Sequence, residues 1–407
     1  MSADVRCKVC SDKVVECMDF GRQPLSDVFP KEVADAPFTF RLGVGICVGC
    51  TMVQLTEEVP RDRMFHDDYP YYSSGSSVMR AHFEGFAERM LSTELAQTDP
   101  FVVEIGCNDG VMLAVLAESG IRHLGVEPSG SVADLAAQRG VRVRKAFFEE
   151  STALEIRAES GPADLVYAAN TLCHIPYVES VLRGVSALLR PTGVFVFEDP
   201  YLGDIVARNS FDQIYDEHFY YFTARSVQEM AARCGLRLVD VERIPVHGGE
   251  VRYTLAHAAG RPPSPAVEQL LAEESERGLA ESQTLHALGS RVATNRNELA
   301  ALLHRLKAEG KTVVGYGATA KSATVNNYCN IDRELVPFVC DSTPAKQGRL
   351  TPGTHIPVHP PERFADPFPD YALLYAWNHA DEIMEKEQEF RDAGGKWIVY
   401  VPEVAVL

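Results

Sequence analysis

Glu104-Ile105-Gly106-Cys107-Asn108-Asp109-Gly110 is the stretch that decides how this chain is read. The β-branched run Phe101-Val102-Val103 before it predicts a buried strand, and Val111-Met112-Leu113-Ala114-Val115-Leu116 after it predicts a helix. A glycine-bearing loop at such a turn is where a nucleotide-like ligand docks, because Gly106 and Gly110 let backbone N–H groups come close to it. Glu127, at the end of the next strand Leu124-Gly125-Val126, stands where an acid meets a pair of ribose hydroxyls. Asn108 takes the place of a middle glycine, and Asn tolerates the left-handed conformation better than most residues. With Glu104, that departure from a full G-x-G-x-x-G favours S-adenosylmethionine over a dinucleotide.

At 407 residues the chain is long enough for two or three domains. A net charge of −18 argues against a nucleic-acid or anionic-membrane partner. Met1 to Arg6 carries no apolar signal region and no apolar run is long enough to span a bilayer, so a cytoplasmic protein is expected. The ten cysteines are then thiols.

Two Cys-x-x-Cys knuckles, Cys7 with Cys10 and Cys47 with Cys50, can offer four thiolates to one tetrahedral ion. Four protein ligands leave no open position, so the expected zinc is structural; a redox dithiol would need a thioredoxin-like context that is missing. Cys17 has no partner at knuckle spacing. Beyond the second knuckle, Met64 to Ser77 holds Tyr69, Tyr71 and Tyr72 among Pro, Gly and Ser, and reads as a lid or active-site wall rather than a linker.

From Phe101 to His257 strands alternate with helices, predicting a doubly wound parallel sheet with strands at Val102-Val103, Leu124–Val126, Val141–Val143, Leu165–Ala169 and Val194–Phe197. Asn170, Cys173 and His174 fall just past the fourth strand, and Phe147 past the third, where an adenine would rest. Two further strands, Leu236–Glu242 and Glu250–His257, flank Val246-His247-Gly248-Gly249. Between them and the fifth strand, Tyr215, Asp216, Glu217 and His218 sit among Phe219, Tyr220, Tyr221 and Phe222. Imidazole beside carboxylates in apolar surroundings suits proton transfer near neutral pH.

Arg261-Pro262-Pro263-Ser264-Pro265 reads as a linker, and Ala266 to Ala308 as one long or two consecutive helices. Thr312 to Lys321 opens a second strand-loop-helix unit, with later strands at Val336–Asp341, Ala372–Trp377 and Lys396–Val401. Its loop has Gly315 and Gly317 but Ala320 in the third glycine's place, and Lys321 suits a phosphate or diphosphate. The expected fold is therefore α/β: a zinc-binding domain over 1–75, a doubly wound sheet that binds S-adenosylmethionine over 76–260, and a second Rossmann-like domain over 261–407.

Taken together, the twin knuckles, Glu104 to Gly110, Tyr215 to His218, His247-Gly248-Gly249 and Gly315 to Lys321 resemble the nucleotide-sugar C-3 methyltransferases, over essentially the whole chain. The resemblance implies S-adenosylmethionine as cofactor, structural zinc, and a dTDP-4-keto-deoxysugar methylated during the making of branched antibiotic sugars. It also implies that Tyr215, Glu217 and His218 are catalytic with His218 the favoured base, and that Tyr69 or Tyr71 closes the site. Gly106, Asn108, Gly110, Glu127, Phe147 and Asn170 are then expected at the cofactor. His174, His247, Gly317 and Lys321 are expected at the substrate. Removing a proton from carbon beside a ketone needs a base and a donor to the enolate oxygen, and this cluster holds both. The rival reading, an NAD(P)-dependent nucleotide-sugar oxidoreductase, leaves Glu104 to Gly110 idle; a zinc-stapled scaffold leaves the His218 cluster unexplained.

Overall fold

The computed structural model describes residues 5–33, 37–65 and 72–407, so Tyr69 and Tyr71 lie outside the described residues. Near the N-terminus, β1 (Val14–Pro24), β2 (Thr39–Cys47) and β3 (Val53–Leu55) form an antiparallel sheet. Phe40, Leu42, Val44 and Ile46 alternate along β2 and are all buried. The other face of β2 carries Gly43 and Gly45, and there Thr56 and Val14 close in on the bare backbone: a Cβ would stand 2.4 Å from Thr56 Oγ1 and 2.6 Å from Val14 Cγ1.

Seven strands make the central sheet: β4 (Phe101–Ile105), β5 (Arg122–Val126), β6 (Val143–Arg144), β7 (Ala163–Ala169), β8 (Leu189–Pro200) and, after the short β9 (Tyr220–Tyr221), β10 (Leu236–Ile244) and β11 (Glu250–His257). Their order is β10-β11-β8-β7-β4-β5-β6, parallel from β6 to β8 and antiparallel from β8 to β10. β7 is buried on both faces along nearly all its length, as a strand in the middle of a parallel sheet must be. The expected third strand starts later than Val141, because the Val141 N–H caps the preceding helix on the Ala136 carbonyl. β9 does not belong here. It pairs with β3 through Val53 opposite Tyr221 and Gln54 opposite Tyr220, so the end of the Tyr215 to Phe222 motif is the fourth strand of the zinc-domain sheet.

The C-terminal sheet runs β14 (Val358–His359), β13 (Val339–Cys340), β12 (Val313–Tyr316), β15 (Tyr371–Leu374), β16 (Lys396–Val399) and β17 (Ala405–Val406), all parallel except the last. Its five parallel strands repeat the order of the five parallel strands of the central sheet. β13 is shorter than the predicted strand because Pro337 has no N–H to give and Val336 donates to the Asp332 carbonyl instead. The 266–308 stretch is two helices, Pro265–Glu276 and Ser282–Ala308, broken at Gly278 with φ 61°. Glu274 on the first accepts from the backbone N–H groups of Ala224 and Arg225, capping a helix of the central domain, so this helix packs back across the expected boundary at 260. The second helix buries Leu285, Leu288, Val292, Leu299, Leu302 and Leu306 along one side, and Gly289 lets it close on Met18 of β1. Among the described residues no helix is long and apolar enough to cross a membrane.

Candidate active site

The strand order of the central sheet reverses between β4 and β7, and a ligand crevice opens at their carboxyl ends. Gly106, Asn108 and Gly110 all take positive φ there (66°, 49° and 78°). A Cβ on Gly106 would meet Thr171 Oγ1 at 2.6 Å, so the turn admits no side chain. The loop is pinned from outside: Asn108 Oδ1 accepts from the Ser73 N–H at 2.9 Å, Ser74 donates to Asp109, and Arg139 pairs with Asp109 at 3.2 Å. Glu127 Oε2 accepts from the Asn108 N–H at 3.0 Å and Oε1 from the Ser129 N–H at 2.8 Å. Burial raises its pKa against those hydrogen bonds. The second domain repeats the device, with Asp341 accepting from the Ala318 and Thr343 N–H groups at 2.6 and 2.7 Å.

This crevice is one end of a cavity of about 580 Å³ bordered by all three domains. Gly106, Asn108, Glu127, Phe147 and Asn170 line the cofactor end. Phe147 is covered on one face by the Arg61 guanidinium, 4.3 Å from the ring centroid, which the zinc domain contributes. Gly110 is not a lining residue. Its role is in the turn, where a Cβ would lie 2.9 Å from Ala136 Cβ.

Further along, Tyr215, Glu217 and His218 border the same space. The His218 ring is fixed at both nitrogens. Nδ1 lies 2.8 Å from the Gln213 carbonyl, which can only accept, so Nδ1 carries the proton; Nε2 is then the acceptor for the Tyr215 hydroxyl at 2.8 Å. Burial holds His218 well below the ordinary histidine range, with His174 and Lys321 nearby adding to the effect, so the imidazole is neutral at pH 7. Burial also pushes Tyr215 well above the ordinary tyrosine value, keeping it an O–H donor in the resting site. Phe65, His174 and His218 form a stack with centroids 5.8 and 5.3 Å apart. His174 is pushed down to about 4 by burial, and its Nε2 has no hydrogen-bond partner among the described residues. Cys173, His174 and His218 offer donor atoms within 4.8 Å of one another, but the His218 Nε2 is already engaged.

At the far end lie Thr319, Ala320 and Lys321, where the helix Ala320–Tyr328 begins. The Lys321 ammonium is buried, 5.6 Å from the Trp377 ring centroid, with no hydrogen-bond partner among the described residues. Burial lowers its pKa, while Asp212 and Glu250 work in the opposite direction. A buried cation with no donor satisfied is costly unless an anion arrives to meet it. His247 lines the space too, at φ 49° and pushed down to about 3 by burial and by Lys321. Gly317 does not line it; its hydrogens face Ala376, where a Cβ would sit 3.0 Å from Ala376 Cβ, so it shapes the loop.

The four knuckle thiols are brought together, with Cys7 Sγ 3.5 Å from Cys50 Sγ and Cys10 Sγ 3.2 Å from Cys47 Sγ. All four lie within 4.8 Å of one another, close enough for one ion to gather them into a tetrahedron of Zn–S bonds about 2.3 Å long. Backbone N–H groups of Val9 and Gly49 point at Cys7 and Cys47, each at 3.4 Å, as they do where sulfur carries charge. Cys7 is lowered to about 5 by the Cys50 hydrogen bond while Cys50 is driven up, a conflict that a dication relieves. Cys17 lies apart from this cluster, its thiol donating to the Val15 carbonyl at 3.3 Å.

Several bordering residues escaped the sequence reading: Arg61, Asp27, Lys346, Asn378 and His379. The last two follow β15, and the carboxyl-edge rule that picked out Asn170 and His174 would have found them if applied to the second sheet. Arg61, Asp27 and Lys346 carry no local signal, since each arrives from a separate segment.

A glycine turn at the switch point of a doubly wound sheet, in a chain that also carries a four-cysteine cluster able to hold zinc, fits an S-adenosylmethionine-dependent methyltransferase. Family profiles agree: a zinc binding domain matches residues 7–65, a methyltransferase domain 79–241, and a C-methyltransferase C-terminal domain 245–402. C-methyltransferase NovU of Streptomyces niveus is 36% identical over 98% of this chain and 96% of its own length. The chain belongs to the C-methyltransferase family, with S-adenosylmethionine and zinc as its cofactors. The ubiquinone biosynthesis O-methyltransferase of Cupriavidus pinatubonensis is 32% identical, over 38% of this chain and 67% of its own length. A SAM-dependent methyltransferase structure from Anabaena variabilis superposes with a TM-score of 0.36 at 18% identity, covering 45% of this chain and 86% of that one.

Proposed function

We propose that the enzyme methylates C-3 of a dTDP-4-keto-deoxysugar through a base-generated enolate, as a step toward branched antibiotic sugars. The observation that carries this reading is the Tyr215–His218 pair, set in one cavity between the cofactor turn and the Lys321 ammonium, which has no hydrogen-bond partner among the described residues. The bound sulfonium supplies the electrophilic methyl. Gly106 and Asn108 present backbone to it, Glu127 takes the ribose, and Phe147 and Asn170 border the adenosyl end.

His218 is the final proton acceptor. Because its Nε2 already accepts the Tyr215 hydroxyl, the C-3 proton passes to the Tyr215 oxygen as the tyrosine proton passes to Nε2. One C–H and one O–H bond break while an O–H and an N–H bond form, leaving an enolate beside an imidazolium. The charges are opposite and close, which offsets the burial that keeps the resting imidazole neutral. His174 and His247 border the sugar, and Lys321 meets the diphosphate at the start of its helix. Glu217, 4% exposed, holds the substituent on C-3.

A panel of dTDP-4-ketosugars, with C-3 bearing an amine or a hydroxyl, tests the reading. A product with the new methyl on carbon, formed one-for-one with S-adenosylhomocysteine, is expected. Turnover of none of the panel, or a methyl found on oxygen, would overturn it. Nicotinamide-dependent redox turnover of the same panel would favour the oxidoreductase alternative.

A further inference from the structure

The catalytic pair sits on a segment with little regular structure of its own: from Ile214 to Phe219 the backbone is neither helix nor strand. Besides a local turn, in which the His218 N–H donates to the Tyr215 carbonyl at 3.2 Å, it is tied to its surroundings at several points. Thr324 of the C-terminal domain donates to the Ile214 carbonyl at 2.7 Å. Gln213 Nε2 donates to the His247 carbonyl at 2.7 Å. The Leu55 N–H of β3 donates to the Phe219 carbonyl at 2.9 Å, and Tyr220–Tyr221 then join the zinc-domain sheet. Between these ties lies Asp216. It is 4% exposed, and its Oδ1 accepts from the Ser26 N–H at 3.0 Å, in a crevice closed by Gln23, Pro24, Phe40 and Leu42 of the zinc domain and Ala323 and Thr324 of the C-terminal domain. The chemistry above has no use for this carboxylate.

We infer that Asp216 is a positioning residue: by accepting from Ser26 it fastens the catalytic segment to the zinc domain and sets the Tyr215–His218 geometry. The zinc-stapled sheet is then part of the catalytic apparatus in a mechanical sense. Asp216 lies between the two residues of the pair, so a shift at its anchor moves both. The inference rests on the reading that this pair moves the proton, but its first test needs no substrate.

That test follows the His218 imidazole by nitrogen NMR, with His218→Asn assigning the signal. In the wild type the ring should stay neutral, protonated on Nδ1, well below the ordinary histidine range. Asp216→Ala frees the segment, and the ring should titrate close to the value of a solvated histidine. Asp216→Asn keeps an oxygen that can accept from Ser26 and should behave as wild type. In turnover, Asp216→Ala should lower kcat roughly ten- to hundredfold, the scale of a misplacement near 1 Å. The KM for S-adenosylmethionine and the zinc content should be unchanged, and Asp216→Asn should restore kcat. An unshifted His218 titration with full kcat in Asp216→Ala would overturn the inference. If the alanine variant does not fold, Asp216→Asn decides alone: a wild-type titration supports the anchor, and a tenfold loss of kcat with zinc and cofactor affinity intact contradicts it. Failure of the sugar reading would show separately, as no turnover by the wild type.

Discussion

Tyr215 donates its hydroxyl proton to Nε2 of His218 across 2.8 Å, and the opposite edge of the same imidazole is held 2.8 Å from the Gln213 carbonyl. The tautomer is fixed, the ring is neutral, and one lone pair is reserved for one proton. General-base groups of this kind are worth roughly 10²–10⁴ in rate. Tyr215 adds a donor for the enolate oxygen once the proton has moved, worth about 3 kcal/mol in a dry site.

Metal removal should affect more than the first domain. Binding of structural zinc contributes on the order of 10 kcal/mol to a small module, and β9 ties that module's sheet to the catalytic segment. Cys47→Ser is expected to lose zinc, lower the unfolding temperature and abolish methyl transfer, as followed by elemental analysis, calorimetry and turnover. Stoichiometric zinc at wild-type stability would contradict the four-thiolate site.

Glu127 accepts from two backbone N–H groups and still faces the cavity, so its loss removes a ribose acceptor and loosens the glycine turn. Glu127→Ala should weaken S-adenosylmethionine by about 1.5–3 kcal/mol. Calorimetry showing unchanged affinity would mean that the ribose lies elsewhere.

Much of this was legible because parallel strands and glycine turns leave strong local signals. Phe101 to Gly110 and Thr312 to Lys321 announce both sheets, and the knuckle spacing announces the metal. What stayed hidden is what arrives from afar. Nothing in Tyr220–Tyr221 says that it completes a sheet whose other strands end at Leu55, and nothing near Arg61 says that it covers Phe147. Pairing between distant segments depends on tertiary geometry, which period and composition do not encode. Lys321 shows the intermediate case: its loop was readable, but its burial without a hydrogen-bond partner among the described residues was not.

That lysine gives the next prediction. Lys321→Ala should raise the KM for the nucleotide-sugar by a factor matching about 1.5–3 kcal/mol, the range for hydrogen bonds to charged groups, and leave that for S-adenosylmethionine alone. Calorimetric titration with dTDP checks the binding directly. No change in either would make the loop a structural turn.

Acid should loosen the fold through His174. Its folded pKa is pushed from 6.5 down to about 4, so between those values the unfolded chain binds a proton that the folded one refuses. Protonation therefore favours unfolding, and this contribution to stability falls as pH drops from 6.5 toward 4. His174→Asn should reduce the slope of unfolding free energy against pH in that window by up to about 1.4 kcal/mol per pH unit. Parallel urea-denaturation curves for the two proteins across the window would show that His174 titrates normally.

Proton abstraction is isolated from methyl transfer by exchange of the C-3 proton of a dTDP-4-ketosugar with deuterated water in the presence of S-adenosylhomocysteine. The wild type should exchange it. His218→Asn and Tyr215→Phe should each slow exchange by roughly 10²-fold or more, with cofactor and nucleotide affinities retained. Exchange at the wild-type rate in His218→Asn, with methylation lost, would contradict the account and pass the role of base to Tyr215 or Glu217.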